Sequence, residues 1–367
     1  MDVEAINQKA KDTNHSMITQ PRTNGAVLLP TPEDVARTLG INQITIDWLA
    51  GDGSDRCYFR IKSPQSDKTY VLMQLSKSDA KLIENNGYEW IQIGEMLSQN
   101  GIFVPKTIAT LPEHAALIIE DYGNIMLENV VSRLQKDGDQ KAIDSFYEKA
   151  CSIVFDFYKI EQDGASPWCQ RQFDFDRFSW ELDFFYKEYI EKAFALDLNK
   201  RQKDLFIKES LELSQYLASL DQVFVHRDFH SRNLMCKGTC IAVIDFQDAR
   251  LGPAAYDLVS LFFDSYVNLS DQQRLKYIQK AITELEKRDL TRLAKQVAES
   301  WPATLLQRQL KALGSFAYLT IEKKRGDYLK YAPAALDTLK TPEIYDERWP
   351  FLSKELIGLL SDKLSKG

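Results

Sequence analysis

The stretch VFVHRDFHSRNLMCKGTCIAVIDFQDA, residues 223–249, sets His226, Asp228, His230, Asn233, Asp245 and Asp248 between apolar runs. Unpaired polar groups are costly in an apolar interior. These residues therefore either satisfy one another or hold something that needs them. The pattern H-x-D-x4-N, with a further aspartate twelve residues after the asparagine, suits phosphoryl transfer. In that chemistry Asp228 accepts the proton of a hydroxyl as it attacks a γ-phosphate. Asn233 and Asp245 offer hard oxygens to Mg2+, which otherwise keeps waters and binds nucleotide phosphates. Two short β-like runs, 234–236 and 241–244, turn at Lys237-Gly238-Thr239 and return Asp245 to the side of Asn233. His226 reads as scaffold. His230 either orients the loop or touches the acceptor, and Arg232 in the same loop is a second acceptor candidate. Asp248 is either a supporting group or a surface residue. Asp257, in AAYDLVSL, reads as a buried acceptor that braces the loop.

These groups need elements to position them. Thr31-Pro32-Glu33 has the signature of a helix start, with Thr as cap and Pro in the first turn. Three β-like runs follow, ITIDWLA, CYFRIK and TYVLMQL, separated by turn residues. Residues 85–99 carry helical periodicity, and FVPKTIAT and AALIIE supply two more strands. The expectation is α+β: a small five-stranded antiparallel sheet lobe with one inserted helix, then a large helical lobe. Residues 1–30 are expected to form a loosely attached tail, 31–122 the β-rich lobe and 123–367 the helical lobe, with Asp121-Tyr122-Gly123 as the hinge. Helical segments are expected near 141–160, 174–193, 201–219, 271–287 and 301–325. A cleft between lobes is a common place for a small-molecule site. LAGDGSDRCYFRI lies between two of the strands, and Gly51, Asp52, Gly53 and Ser54 are its phosphate-cradle candidates. A Gly-Asp-Gly turn by itself is ordinarily a hairpin. Ahead of H-x-D-x4-N it is also placed to cover a nucleotide.

The bulk composition narrows the class. The 367 residues are 44% hydrophobic and 27% charged, with a net charge of −7. That balance lacks the clustered Lys and Arg a nucleic-acid or anionic-membrane surface needs. Lys323, Lys324 and Arg325 form the densest basic run and read as a solvated helix end. No apolar run approaches the roughly 20 residues of a membrane span. The polar N-terminus shows no signal core, so a cytoplasmic protein, a monomer or weak dimer, is expected. The cysteines at 57, 151, 169, 236 and 240 are scattered, which suits free thiols. Cys236 and Cys240 fit hairpin positions better than a zinc pair, since no second pair follows.

With these motifs in view, the chain resembles the aminoglycoside-phosphotransferase-like kinases, which share the two-lobed protein-kinase fold. Within them it is most similar to the anomeric N-acetylmuramate/N-acetylglucosamine kinases of cell-wall sugar recycling. The resemblance rests on GDGSDRCYFRI, VFVHRDFHSRNLM, VIDFQDARLGPAAYDLVSLFFDSY and LLQRQLKALGSFAYLTIEKKRGDYLKYAP, and spans about residues 45 to 340. It implies ATP and Mg2+ as co-reactants and the C1 hydroxyl of an N-acetyl amino sugar as acceptor. The motifs alone support an ATP-dependent small-molecule kinase, with other alcohols or aminoglycosides as alternative acceptors.

Two departures from the kinase pattern matter. The third strand carries Met73 and Gln74 where most kinases place a phosphate-holding lysine. Arg60, Arg56 and Lys106 are candidate substitutes, and the missing lysine keeps a nucleotide-binding pseudokinase as a rival. The second departure is Asp-Phe-Gln at 245–247, with only eleven residues between Asp245 and Asp257. That leaves no room for the activation segment of a protein kinase, which excludes protein substrates. For the acceptor, the aromatic and acidic stretch 173–191 is either a core helix with a solvated face or part of the pocket wall. Asp176, Arg177, Glu181 and Asp183 are its candidates, with Arg177 as a fork donor to an acceptor carboxylate. Such an acidic wall equally suits a cationic acceptor.

Overall fold

The computed structural model describes residues 29–51, 56–84 and 87–366. Residues 1–28 of the expected tail, and Asp52, Gly53 and Ser54 of the glycine-rich loop, lie outside the described residues. The chain forms two compact units. Of the described residues, one holds those up to Gln92, Pro105–Gly123 and Cys236–Cys240, and the other Ile93–Val104, Asn124–Met235 and those from Ile241 onward. The division thus departs from a single cut after residue 122. Residues 93–104 join the helical unit because Gly94 there meets Phe246, and Phe103 gives its carbonyl to the Val243 amide at 2.8 Å.

In the first unit, helix α1 (Pro32–Leu39) starts where Thr31 caps the Asp34 amide and stops at Gly40, whose φ is +66°. The strands are β1 (Thr45–Gly51), β2 (Cys57–Ser63), β3 (Ser66–Gln74), β4 (Thr107–Leu111) and β5 (Ala116–Glu120). They form one antiparallel sheet in the order β1-β2-β3-β5-β4. Alternation puts Ile61, Leu72, Ala116 and Ile118 on one face, where they bury against Val35 and Ala36 of α1. Between β3 and β4 lie two helices rather than the one expected: α2 (Lys77–Glu84) and α3 (Glu89–Gln99). The division between the units passes through α3.

The helical unit contains α4 (Leu127–Asp137), α5 (Gln140–Phe157), α6 (Phe175–Phe185) and α7 (Lys200–Ala218). After strands β6 (Gln222–Val225), β7 (Leu234–Lys237), β8 (Cys240–Val243) and β9 (Arg250–Pro253) come α8 (Ala255–Phe262), α9 (Asp271–Lys287) and α10 (Thr291–Ile321). Helices α11 (Ala332–Thr338) and α12 (Leu356–Lys366) follow. β6 pairs with β9, and β7 with β8 in a hairpin. α6 continues as a π-helix over Tyr186–Ala193 instead of running on as α-helix. α10 begins ten residues before the expected start and passes through Pro302. An interior proline costs a helix about 3 kcal/mol. Burial of Leu293, Ala294, Val297, Trp301, Leu305 and Leu306 on this 31-residue helix offsets that cost.

α6 and α10 cross closely at Gly314. A Cβ there would stand 2.8 Å from the Phe185 Cα and 3.1 Å from its amide nitrogen, both backbone atoms that cannot swing aside. Gly314→Ala is therefore expected to destabilise the protein by about 1–3 kcal/mol, the usual range for overpacking. Urea unfolding measures it, and an unchanged midpoint would show that the two helices separate freely.

Candidate active site

The loop after β6 owes its shape to two buried carboxylates at either end of α8. Asp257, fully buried, accepts the His226 amide at 2.6 Å and the Arg227 amide at 3.0 Å. Asp264 accepts the Ser231 amide at 2.9 Å and the Ser231 hydroxyl, and its other oxygen takes the Tyr266 amide at 2.8 Å. Burial pushes the Asp257 carboxyl up to about 7, against the two amides that favour its charge. The buried His226 ring donates from Nε2 to the Ile244 carbonyl at 2.9 Å, so it ties the loop to the end of β8. A carbonyl only accepts, so Nε2 carries the hydrogen. Burial also lowers the His226 basicity and keeps the ring neutral. His226 and Asp257 act as the scaffold and brace that the sequence suggests.

Between these anchors Arg227 adopts φ +82°, a conformation that favours glycine and strains a bulky side chain. Its guanidinium lies 3.8–3.9 Å from oxygens of Glu181, Asp228 and Asp248. The next residue, Asp228, projects a half-buried carboxylate. Its Oδ1 accepts from Lys311 Nζ at 3.1 Å, and Oδ2 lies 3.9 Å from Arg227 Nε. Burial opposes the charge, but Lys311 and then Arg227 outweigh it and hold the carboxyl well below the usual range. Asp228, His230, Asp264, Tyr266, Arg308 and Lys311 are among the residues around a cavity of about 70 Å3. Burial pushes the His230 imidazole down to about 4, and the ring stands edge-on to Tyr266. A larger cavity of about 460 Å3, lined by residues of α5 and α9, contains none of these groups.

The metal candidates meet at the foot of the β7–β8 hairpin. The Ile244 amide donates to the Asn233 carbonyl at 3.0 Å, which sets Asp245 next to Asn233. The Asn233 Nδ2 donates to the Asp228 carbonyl at 2.9 Å, so the side-chain amide is held with its donor end on the loop. Asp245 is exposed with φ +63°, and one of its oxygens accepts from Gln247 at 2.9 Å. An amide oxygen and a carboxylate on a short rigid turn fit a hard divalent cation that draws its other ligands from phosphates and water. Phe246, fully buried between these polar neighbours, packs on Gly94, where a Cβ would come within 3.1 Å of the ring.

Other sequence candidates are put to different uses. The Arg232 guanidinium lies 3.9 Å and 4.8 Å from the Tyr266 and Tyr331 ring centres. It donates to Glu128 at 2.6 Å and to the Tyr331 hydroxyl at 2.7 Å. These contacts brace the loop from the Arg232 side. Arg177 pairs through Nε with Glu181 on its own helix at 3.2 Å, and its guanidinium lies 4.7 Å from the Trp180 ring centre. Asp176 sits exposed in the first turn of α6. Glu181 is fully buried, is shared by Arg177 and Arg227, and accepts from Gln307 at 2.9 Å.

In the sheet unit, Arg60 clasps Asp121 through Nε at 2.6 Å and Nη2 at 3.0 Å, and reaches the Gly123 carbonyl. The charge expected to hold phosphate is committed to this pair. Gln74 donates to the His114 and Ala115 carbonyls at 2.6 and 3.2 Å, where Ala115 has φ +46°. It fastens the turn between β4 and β5. Gly51 ends β1, and Lys106 is exposed.

Sequence reasoning assigned no role to Lys311, Arg308 or Asp264. A signal existed for the first two. Ser300, Thr304, Gln307, Arg308, Lys311 and Ser315 recur at three- and four-residue spacing along α10, which puts a polar stripe on one face.

Comparison with known proteins agrees with this geometry. The sequence profile of the phosphotransferase enzyme family matches residues 46–295. An N-acetylmuramate/N-acetylglucosamine kinase of Pseudomonas aeruginosa is 28% identical over 226 residues, 60% of this chain and 60% of that protein. One of Neisseria meningitidis is 26% identical over 321 residues, 85% of this chain and 91% of that protein. The match thus spans less than two thirds of the first relative and most of the second. Among solved structures, ADP-bound aminoglycoside phosphotransferase APH(2'')-Ib aligns with a TM-score of 0.54 at 14% identity, covering 82% of this chain and 96% of that one. A Plasmodium vivax ethanolamine kinase aligns at 0.55 and 13% identity, covering 80% and 82%. At such identities the structural likeness speaks for the fold, that of the protein-kinase-like phosphotransferases. No described helix is long and apolar enough to cross a membrane. With the H-x-D-x4-N spacing, the fold and a family match over residues 46–295 all present in one chain, this protein belongs to the phosphotransferase enzyme family.

Proposed function

We propose that this protein is an ATP-dependent kinase that phosphorylates the anomeric C1 hydroxyl of N-acetylmuramate or N-acetylglucosamine in the cytoplasm. The observation that carries the reading is the cavity beside Asp228. It joins a carboxylate base to the buried cation Arg308 and the half-buried Lys311. Both carboxylates that line it are engaged, Asp228 by Lys311 and Asp264 by the Ser231 and Tyr266 amides. A polycationic aminoglycoside or a quaternary amine would face two cations, with Asp228 Oδ1 and the Asp264 carboxylate already engaged. A neutral or anionic sugar meets no such repulsion. The names of the relatives point to the same acceptors.

Asp228 would orient the acceptor hydroxyl and take its proton. The acceptor oxygen bonds to the γ-phosphorus while the bond from that phosphorus to the ADP oxygen breaks. Asn233 and Asp245 would hold Mg2+, which, when bound, offsets the phosphate charge.

The test is ADP release with N-acetylmuramate, N-acetylglucosamine, glucosamine, kanamycin and choline, with phosphorus NMR of the product. We expect the N-acetyl sugars to exceed kanamycin and choline by at least about 10²-fold in kcat/KM and to yield a 1-phosphate. Turnover of kanamycin or choline alone would defeat the acceptor assignment and leave the kinase chemistry standing. A second reading, a pseudokinase, draws on Gln74, a neutral residue bound to turn carbonyls at the β3 position. Mg-ATP binding without turnover of any acceptor would select it.

A further inference from the structure

Lysine 311 lies on α10, well separated in sequence from the loop it touches. Its side chain is 14% exposed, and its ammonium donates to Asp228 Oδ1 at 3.1 Å. The polar stripe below it is engaged residue by residue. Gln307 holds Glu181, and Arg308 holds the Ser260 hydroxyl at 2.6 Å. Lys311 is the member of the stripe that meets the reacting carboxylate. Asp228 has two ways to turn about its side-chain bonds. The ammonium bond fixes Oδ1, and among the described residues the other oxygen keeps only the Arg227 guanidinium, at 3.9 Å. Oδ2 is therefore the oxygen left to an acceptor hydroxyl. Lys311 and Asp228 border the same small cavity.

We propose that Lys311 is a positioning residue of phosphoryl transfer, pinning Asp228 Oδ1 so that Oδ2 receives the acceptor hydroxyl. The proposal rests on the reading of Asp228 as the acceptor-side base. In the step, the acceptor oxygen forms its bond to the γ-phosphorus, the bond from phosphorus to the ADP oxygen breaks, and the hydroxyl proton passes to Oδ2. Lys311 neither gives nor takes a proton. It holds the rotamer through the exchange, and its charge stays beside the carboxyl as that group becomes neutral. A merely structural lysine would stabilise the stripe and leave the rate untouched. A positioning lysine sets the rate, because a shift of about 1 Å at a reacting group can cost about 10²-fold.

The experiment compares the full-length wild type with Lys311→Met, Lys311→Arg, Lys311→Ala and Asp228→Asn, using Mg-ATP and the panel acceptor the wild type turns over best. Lys311→Met is expected to lower kcat about 10²-fold with KM for ATP within about threefold. Lys311→Arg is expected to recover most of the rate. Added propylammonium is expected to raise the rate of Lys311→Ala saturably, since a free amine can reoccupy the vacated position. Thermal melts show which variants are folded. A Lys311→Met rate within threefold of wild type overturns the proposal. So does a rate loss that neither arginine nor amine restores in a folded variant. Full turnover by Asp228→Asn would overturn the reading of Asp228 beneath it, an outcome separable from a failure at Lys311 alone.

Discussion

Replacing Asp228 with Asn is expected to lower phosphoryl transfer roughly 10³-fold while leaving nucleotide binding and folding in place. General-base contributions of about 10²–10⁴-fold set the scale. The position makes the substitution more severe than a simple loss of charge. Lys311 has only donors to offer at Asp228 Oδ1. It will draw the amide oxygen of Asn to itself, and the amide NH2 then faces the acceptor. A hydroxyl that must lose a proton would meet a donor in place of an acceptor. The variant should still fold, because the shape is kept, but with some loss of stability, because Lys311 and Arg227 lose the charge they face. Steady-state ADP release gives the rate, and titration with a fluorescent ATP analogue gives the binding. Turnover within about tenfold of wild type would remove Asp228 from the assigned role.

Asp257→Ala should act chiefly on stability, and through stability on the loop. The substitution strips partners from the His226 and Arg227 amides, in a place where Asp257 is fully buried. Unsatisfied buried donors cost about 1–3 kcal/mol each, so a loss of about 2–5 kcal/mol is expected. Asp257→Asn should fall between. Its single oxygen serves one amide, and its NH2 confronts the other. Arg227 holds its strained φ of +82° with the help of that second amide bond. Once freed, the loop relaxes toward ordinary backbone and carries Asp228 with it. Urea unfolding and kcat are therefore expected to fall together. An unchanged unfolding midpoint for Asp257→Ala would mean that the loop is held by other contacts.

Local signals carried much of this protein because their physics is local. The helix α1 follows from Thr31, Pro32 and Gly40, each of which acts within a few residues. The sheet follows from alternation in runs shorter than ten residues. The Asn233–Asp245 juxtaposition follows from a tight hairpin, whose turn chemistry is written in Lys237-Gly238-Thr239. The bracing role of Asp257 was legible because an aspartate at the head of an apolar helix, in AAYDLVSL, needs a polar partner once buried.

Roles that depend on which side of a helix faces which neighbour were not legible. Arg60, Arg177 and Arg232 looked available as single cations. Tertiary packing gave them Asp121, Glu181 and Glu128 as partners. The helix expected near 301–325 starts earlier, at Thr291, because burial along both flanks of Pro302 carries α10 through it. Lys311 lies 83 residues from Asp228. Its place there depends on the rotation of α10 about its own axis, which the close crossing at Gly314 and Phe185 helps set.

The sequence by itself determined a local grouping: Asp228, Asn233 and Asp245 and the short turns that bring them together, all within one continuous stretch. Only the tertiary structure decided the electrostatic setting of that grouping. The cations beside Asp228, and those withdrawn into ion pairs, are chosen by helix packing. Such packing sums many small contacts across distant segments, so no short window of sequence contains it.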